Sequence, residues 1–436
     1  SRYSLIVLRD GSALSAGFVE SLENYHGQFG LDQDIVVQGV NEFRAISEVF
    51  DFTTQGTVPP KFAKAFAGVE NTPESGIVHS ILLDQEGRAW AMGSNSQGQL
   101  CLGIDSADIM VPERILTDSP IVDVAIGGEH TLLLGEDGNV YVCGSNALGQ
   151  LGLGEDVNST SSPTLLDGLT SISNISAGLS HSLFEAEDGI YYTGSNEYGQ
   201  LCTDTEGENA LTPQALDIGA EQVAIAFEAI KESSYILFED GSVDGCGRNN
   251  VGQLGDGFNT DAITTTVLIN SVVRLLGIGP SAESVFFIAD DELVYGTGLN
   301  DRGQLGVGDT ENKNVPTQVN FGSAVLLETL SAGQDHTLAL GVETGTLAPT
   351  SGNTPFPSPA PSPNATTSAP TSAPVVVEIV ENPTLVPTYI IGVNITTPPN
   401  SEPSYMPTFA PTRFEGKQYS LIIFAAPYAC NELIFI

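Results

Sequence analysis

A chain of 436 residues that carries 54 Asp and Glu against 14 Lys and Arg has a formal net charge of −40, which repels nucleic-acid phosphates and anionic membranes. Direct nucleic-acid binding is thereby excluded, while a solvated acidic surface, a divalent cation or a basic partner stays compatible. Glycine, at 47 residues, stands well above its roughly 7% norm, and the small number of helix-favouring Lys and Arg argues against a helical bundle and for a turn-rich β protein.

The chain opens at Ser1 with no apolar leader, and the first strand–turn–strand unit is expected to start near Tyr3. A degenerate motif comes next, Gly17-Phe-Val and then Asn24-Tyr-His-Gly-Gln-Phe-Gly30. The extra length before the next motif predicts an elaborated loop over about 50–74.

From Gly93 onward one block recurs. Gly-Ser-Asn-x-x-Gly-Gln-Leu occurs at Gly93–Leu100, Gly144–Leu151 and Gly194–Leu201, with variants at Gly247–Leu254 and Gly298–Leu305. The first glycines are spaced by 51, 50, 53 and 51 residues. A structural framework of Gly93, Asn95, Gly98, Gly144, Asn146, Gly149, Gly194, Asn196, Gly199, Gly247, Asn249, Gly252, Gly298, Asn300 and Gly303 follows from it. The glycines permit tight turning, the Asn side chains bond local backbone, and the Leu enters a core between repeats.

Upstream of each block lies a strand–turn–strand unit, for example Gly127-Gly-Glu-His-Thr131 with Asp137-Gly138, and Gly178-Leu-Ser-His-Ser182 with Asp188-Gly189. Acidic-Gly pairs between short apolar runs supply the positive φ that hairpins need. Units start near Tyr3, His79, His130, His181, Ser234, Ser284 and His336, and the array ends near Leu347, a period and length that fit propeller blades. His130, His181 and His336 share one repeat position with His79, so they are assigned a structural role; only His26 stands elsewhere.

After Leu347 the composition turns to Pro, Ser, Thr and Ala, which predicts an extended linker or stalk over 349–414. The apolar end, 415–436, contains Pro427, Asn431 and Glu432 and falls short of a membrane helix. Its Gln418-Tyr-Ser-Leu-Ile-Ile-Phe424 echoes Arg2-Tyr-Ser-Leu-Ile-Val-Leu8, so it reads as a docking strand or as the start of a second, truncated array.

Cys101, Cys143, Cys202, Cys246 and Cys430 lack metal-ligand spacing, and the first four occupy matched repeat positions, so buried free thiols are expected. No P-loop, nucleophile-elbow, zincin or complete EF-hand pattern occurs, so no enzyme is expected. Asp256, Asp261 and Asp309 follow Gly-Gln-Leu-Gly and offer clustered oxygens for calcium, with exposed turn residues as the plainer reading. Sequons at Asn158, Asn174, Asn364 and Asn394, with the Ser/Thr/Pro tail, place the protein in a secreted or cell-surface setting, with a cytoplasmic one as the alternative.

The block, together with Ala177-Gly-Leu-Ser-His-Ser182 and Ala332-Gly-Gln-Asp-His-Thr337, resembles the RCC1 repeat over residues 1–348. That resemblance implies an all-β, seven-bladed RCC1-type β-propeller with a Pro/Ser/Thr-rich tail, whose repeat histidines hold neighbouring strands together. It implies a noncatalytic scaffold that presents propeller-face loops to a protein or glycan partner, with guanine-nucleotide exchange on a Ran-type GTPase as the alternative. The basic segment that chromatin docking would need is lacking, and no exchange residue of the family is carried over.

Overall fold

The computed structural model describes residues 3–8, 10–17, 26–31, 40–49, 59–68, 78–104, 107–203, 207–269, 271–277, 283–290, 293–319, 325–332, 336–343, 412–414 and 417–425. The tail over 349–411, with Asn364 and Asn394, and Cys430 lie outside these residues. Among the described residues the strands form seven antiparallel sheets and no helix, an all-β propeller architecture.

The third sheet shows how each is made. Ile121–Ile126, His130–Gly135, Val140–Ser145 and Ser159–Leu165 pair in chain order. The hairpin between the second and third strands turns at Gly138, whose φ of 76° explains why an acidic-Gly pair recurs there. The central two strands are buried along their whole length and the fourth is largely open, so each sheet is apolar inside and polar at its rim.

The first strands of successive sheets, Phe62–Ala67, Ile121–Ile126, Asn174–Ala177, Ala224–Ile230, Val273–Gly277 and Val325–Ala332, touch one another and form the inner ring. Apolar clusters sit between consecutive sheets and not within them: one joins Ile81, Ala91 and Leu100 to Leu133, Tyr141 and Cys143, and the next joins Leu132, Val142 and Leu151 to Ile175 and Phe184. Leu100, Leu151, Leu254 and Leu305 of the repeated block all enter such clusters, so each motif packs its own sheet onto the next. Burial of a Leu side chain contributes about 2 kcal/mol, repeated at every seam.

Two features concern chain organisation. The span read as a loop, 50–74, holds the inner strand Phe62–Ala67, where Ala and Lys alternate with Phe too sparsely to announce a strand. The Gly68 N–H donates to the His79 carbonyl as Gly127 does to His130, although the first pair stands 11 positions apart in the sequence and the second 3. The C-terminal strand Lys417–Ala425 pairs with His336–Glu343 and stands third in its sheet, the place that Val140–Ser145 holds in the third sheet.

The cysteines are a correction. Cys101 bonds Cys143 and Cys202 bonds Cys246, with Cα separations of 5.4 and 5.3 Å, so these four are disulfides and not free thiols. Each bond joins the end of one motif to the third strand of the following sheet.

Candidate binding surface

The motif residues are organised inward. Asn146 Oδ1 accepts from the Leu151 N–H at 2.9 Å while its Nδ2 donates to the Gly154 and Val157 carbonyls. Asn95, Asn196, Asn249 and Asn300 accept in the same way from Leu100, Leu201, Leu254 and Leu305. Gln150 Oε1 closes the turn by accepting from the Leu148 N–H, and Gln99, Gln200, Gln253 and Gln304 repeat the contact. Side-chain amides thus satisfy the backbone of a loop that has no sheet partner.

Gly144, Gly194 and Gly298 carry φ of 103°, 104° and 96°, and a Cβ on Gly149 would meet Leu211 Cα at 2.8 Å. Glycine is required at the first position by conformation and at the second by the neighbouring sheet.

The repeat histidines link four consecutive sheets. His130 Nε2 lies 3.0 Å from Ser182 Oγ, and Ser182 donates to the Gln150 carbonyl at 2.7 Å. His79 reaches Thr131 and His181 reaches Ser234 in the same manner, at 2.8 and 2.9 Å. Because each hydroxyl proton goes to a carbonyl, the imidazole must be the donor at Nε2, and burial of the whole ring is what keeps it neutral. Burial agrees, lowering His79 and His130 to about 3 and His181 to about 4. A Cβ on Gly127 would lie 2.1 Å from His130 Cε1, so the glycine of the Gly-x-x-His unit exists to let the ring lie against the backbone. Of His336 only the strand is described.

The candidate calcium ligands point to loop structure. Asp256 Oδ1 accepts from Asn249 Nδ2 and the Phe258 N–H, Asp261 accepts from the Asn249 N–H at 2.7 Å, and Asp309 is held by Lys313 at 2.8 Å, by Asn300 and by the Glu311 N–H. Among the described residues no three His, Cys, Asp or Glu side chains converge on a point that would hold a metal. His26, the histidine outside the repeat position, pairs with Asp108 at 2.6 Å. Asn158 is exposed, and Asn174 is half-buried at the start of a strand.

Glu228 departs from this rule. Burial raises its carboxyl to about 7, against the hydrogen bond that Ser176 Oγ donates at 3.1 Å. Ser176 in turn accepts from the Ala229 N–H at 2.9 Å, so this group also joins two inner strands.

The disulfides were the functional detail that motif reading missed, although the repeats carry the signal. The residue after Gln-Leu faces the residue before the strand-end glycine of the next sheet. Those pairs run Gly30 with Met92, Cys101 with Cys143, Gly152 with Thr193, Cys202 with Cys246, and Gly255 with Thr297. Cysteine replaces glycine only where cysteine also stands opposite. Cys101 and Cys202 hold φ of 57° and 58°, the left-handed region of Gly152, Gly255 and Gly306.

Comparison with known proteins agrees with this framework. The family model described as "Regulator of chromosome condensation (RCC1) repeat" matches residues 86–134, 137–184 and 291–340, and a second model of the same description matches 121–150. The chain is 28% identical over 284 residues to the Ultraviolet-B receptor UVR8 of Arabidopsis thaliana, covering 64% of this chain and 62% of that protein. It is 33% identical over 166 residues to human Protein RCC2, covering 36% and 32%. The chain therefore spans less than two thirds of either relative. The solved structure of Prp20p from Saccharomyces cerevisiae superposes with a TM-score of 0.63 at 18% identity, covering 79% of this chain and 81% of that one, which shows a shared fold. These relatives are nuclear or cytoplasmic proteins, and that overturns the secreted or cell-surface setting read from the sequons and the tail. Sequons are short enough to arise by chance.

Proposed function

This chain is an RCC1-repeat propeller, and from that premise we propose that it is a noncatalytic, protein-binding regulator whose partner presents a basic surface. One observation carries the reading: the polar groups of the motif that recur from sheet to sheet, the Asn, Gln and His described above, are engaged within the fold, so recognition falls to the residues exposed between them. The net charge of −40 selects the sign of the partner and speeds its encounter. Zero-length carbodiimide coupling of the intact protein in an extract of its own cells tests this, since it joins surface carboxylates to partner lysines. The expected result is cross-linked peptides between propeller acids and another protein; cross-links confined to the chain itself would remove the reading.

A second reading has one specific support. Prp20p, whose fold this chain shares, binds Gsp1p and histones, and regulation of a Ran-type GTPase is the corresponding role for this chain. Acceleration of labelled GDP release from a Ran-type GTPase by the purified chain would establish it, and an unchanged rate at micromolar protein would end it.

A further inference from the structure

Each sheet has two ends. One carries the Gly-x-x-His loops and the repeated motifs; the other carries the acidic-Gly hairpins and the entries to the inner strands. At the hairpin end five of the six inner strands share an irregularity, because the register slips by one residue at Ala63, Val122, Ile225, Arg274 and Glu328. A bulge leaves one residue unpaired and re-aims its side chain. Two of these are large apolar residues turned to solvent, Val122 at 42% and Ile225 at 50% exposure.

More apolar surface adjoins them. Val223 is 56% exposed and Val272 49%. The hairpin acids are tied to the same strand entries: the Glu239 N–H donates to the Val223 carbonyl, Asp290 to Val272 and Glu136 to Pro120, all at 2.8–2.9 Å. Exposed carboxylates and exposed valines therefore lie side by side at this end. Between the second and third sheets lies a groove with Leu83, Pro120, Ile121 and Val122 on its walls and Glu86 and Glu136 at its rim. The cations here are already engaged, Lys64 by Asp123 and Arg88 by Asp84 and Glu86.

We propose that the hairpin end of the propeller is a docking surface for a basic, partly apolar segment of another protein, whose Arg or Lys meet the hairpin acids while its apolar side chains cover the bulge residues. The inference rests on the protein-binding reading and adds the face and the chemistry. Valine set among carboxylates is poorly suited to a neutral or acidic partner, since docking would bury charge without an opposite. A purely charged partner would leave the valines wet.

The probe is a fluorescein-labelled peptide of alternating Arg and Leu, titrated with the full chain by anisotropy at about 0.15 M salt, where only close charges act. Saturable binding is expected. The pair Val223→Ser/Val272→Ser should weaken it about tenfold, as loss of central apolar anchors does. Glu136→Lys/Glu239→Lys should weaken it further, while Phe258→Ser, in a loop that follows a motif at the opposite end, should leave it unchanged. All these side chains are exposed, and thermal unfolding of each variant verifies that the fold persists.

Equal binding of an Arg/Ser peptide, equal loss on Phe258→Ser, or no binding would each overturn the proposal. Should that happen while carbodiimide coupling still captures a partner, the protein-binding reading stands and only this face is wrong. If both experiments fail, both readings fall.

Discussion

Asn146 is a donor and an acceptor at once: it answers one backbone N–H and two carbonyls that no strand would otherwise reach. Replacing it by Ala leaves those groups desolvated, so Asn146→Ala should lower unfolding free energy by about 2 kcal/mol in urea titration. The exposed Asn158→Ala serves as the neutral comparison. The left-handed cysteines lead to a sharper expectation. Cys143→Thr alone breaks the bond and leaves Cys101 strained at φ 57° with no compensation. The double variant Cys101→Gly/Cys143→Thr restores the combination that the Gly152–Thr193 pair uses, and should recover about 1 kcal/mol relative to the single change.

At the scale of elements, the disulfides and the last strand do similar work by different means. Each disulfide closes a long loop, 42 residues for Cys101–Cys143 and 44 for Cys202–Cys246. The chain-entropy estimate for such loops is about 4 kcal/mol each, so reduction with the protein otherwise intact should lower the denaturant midpoint without altering the motif bonds. Staples occur at alternate seams, since Gly152–Thr193 and Gly255–Thr297 stand where the bond is lacking. The strand Lys417–Ala425 joins its sheet by backbone pairing, opposite His336–Val342. Its removal would expose an unpaired edge. Deletion of residues 417–425 should accelerate amide exchange over 336–343 and leave 130–145 protected, as read by mass spectrometry.

Across the whole molecule, the neutral histidines make stability depend on pH. Their folded values, about 3 to 4, lie below the ordinary histidine value of 6.5, so the unfolded chain binds more protons throughout that interval. The stabilisation is complete above pH 6.5 and declines as pH falls toward 3. Three such groups give a slope of up to about 4 kcal/mol per pH unit near pH 5. Glu228 acts in the opposite sense, because its folded value of about 7 exceeds 4.5 and its contribution is lost as pH rises through 7. Melting temperature should climb from pH 4 to 6.5, and His130→Gln should flatten the rise by about a third.

What was legible in the chain was local. The period, the acidic-Gly hairpins, the inward role of Asn and His and the buried Leu are all encoded within one repeat, because positive φ, short side-chain bonds and alternation act over a few residues. The family resemblance rests on the same residues. The strand Phe62–Ala67 escaped because its pattern is Ala-rich and its partners lie across an insertion. The secreted setting failed because it was built on sequons, which carry no structural context.

The tertiary structure alone decided which cysteine meets which, that residues 417–425 complete the sheet of 336–343, and that valines from separate inner strands share one end with the hairpin acids. Each depends on which residues of different repeats become neighbours, and that proximity is created by packing sheet on sheet, a term that no single repeat contains.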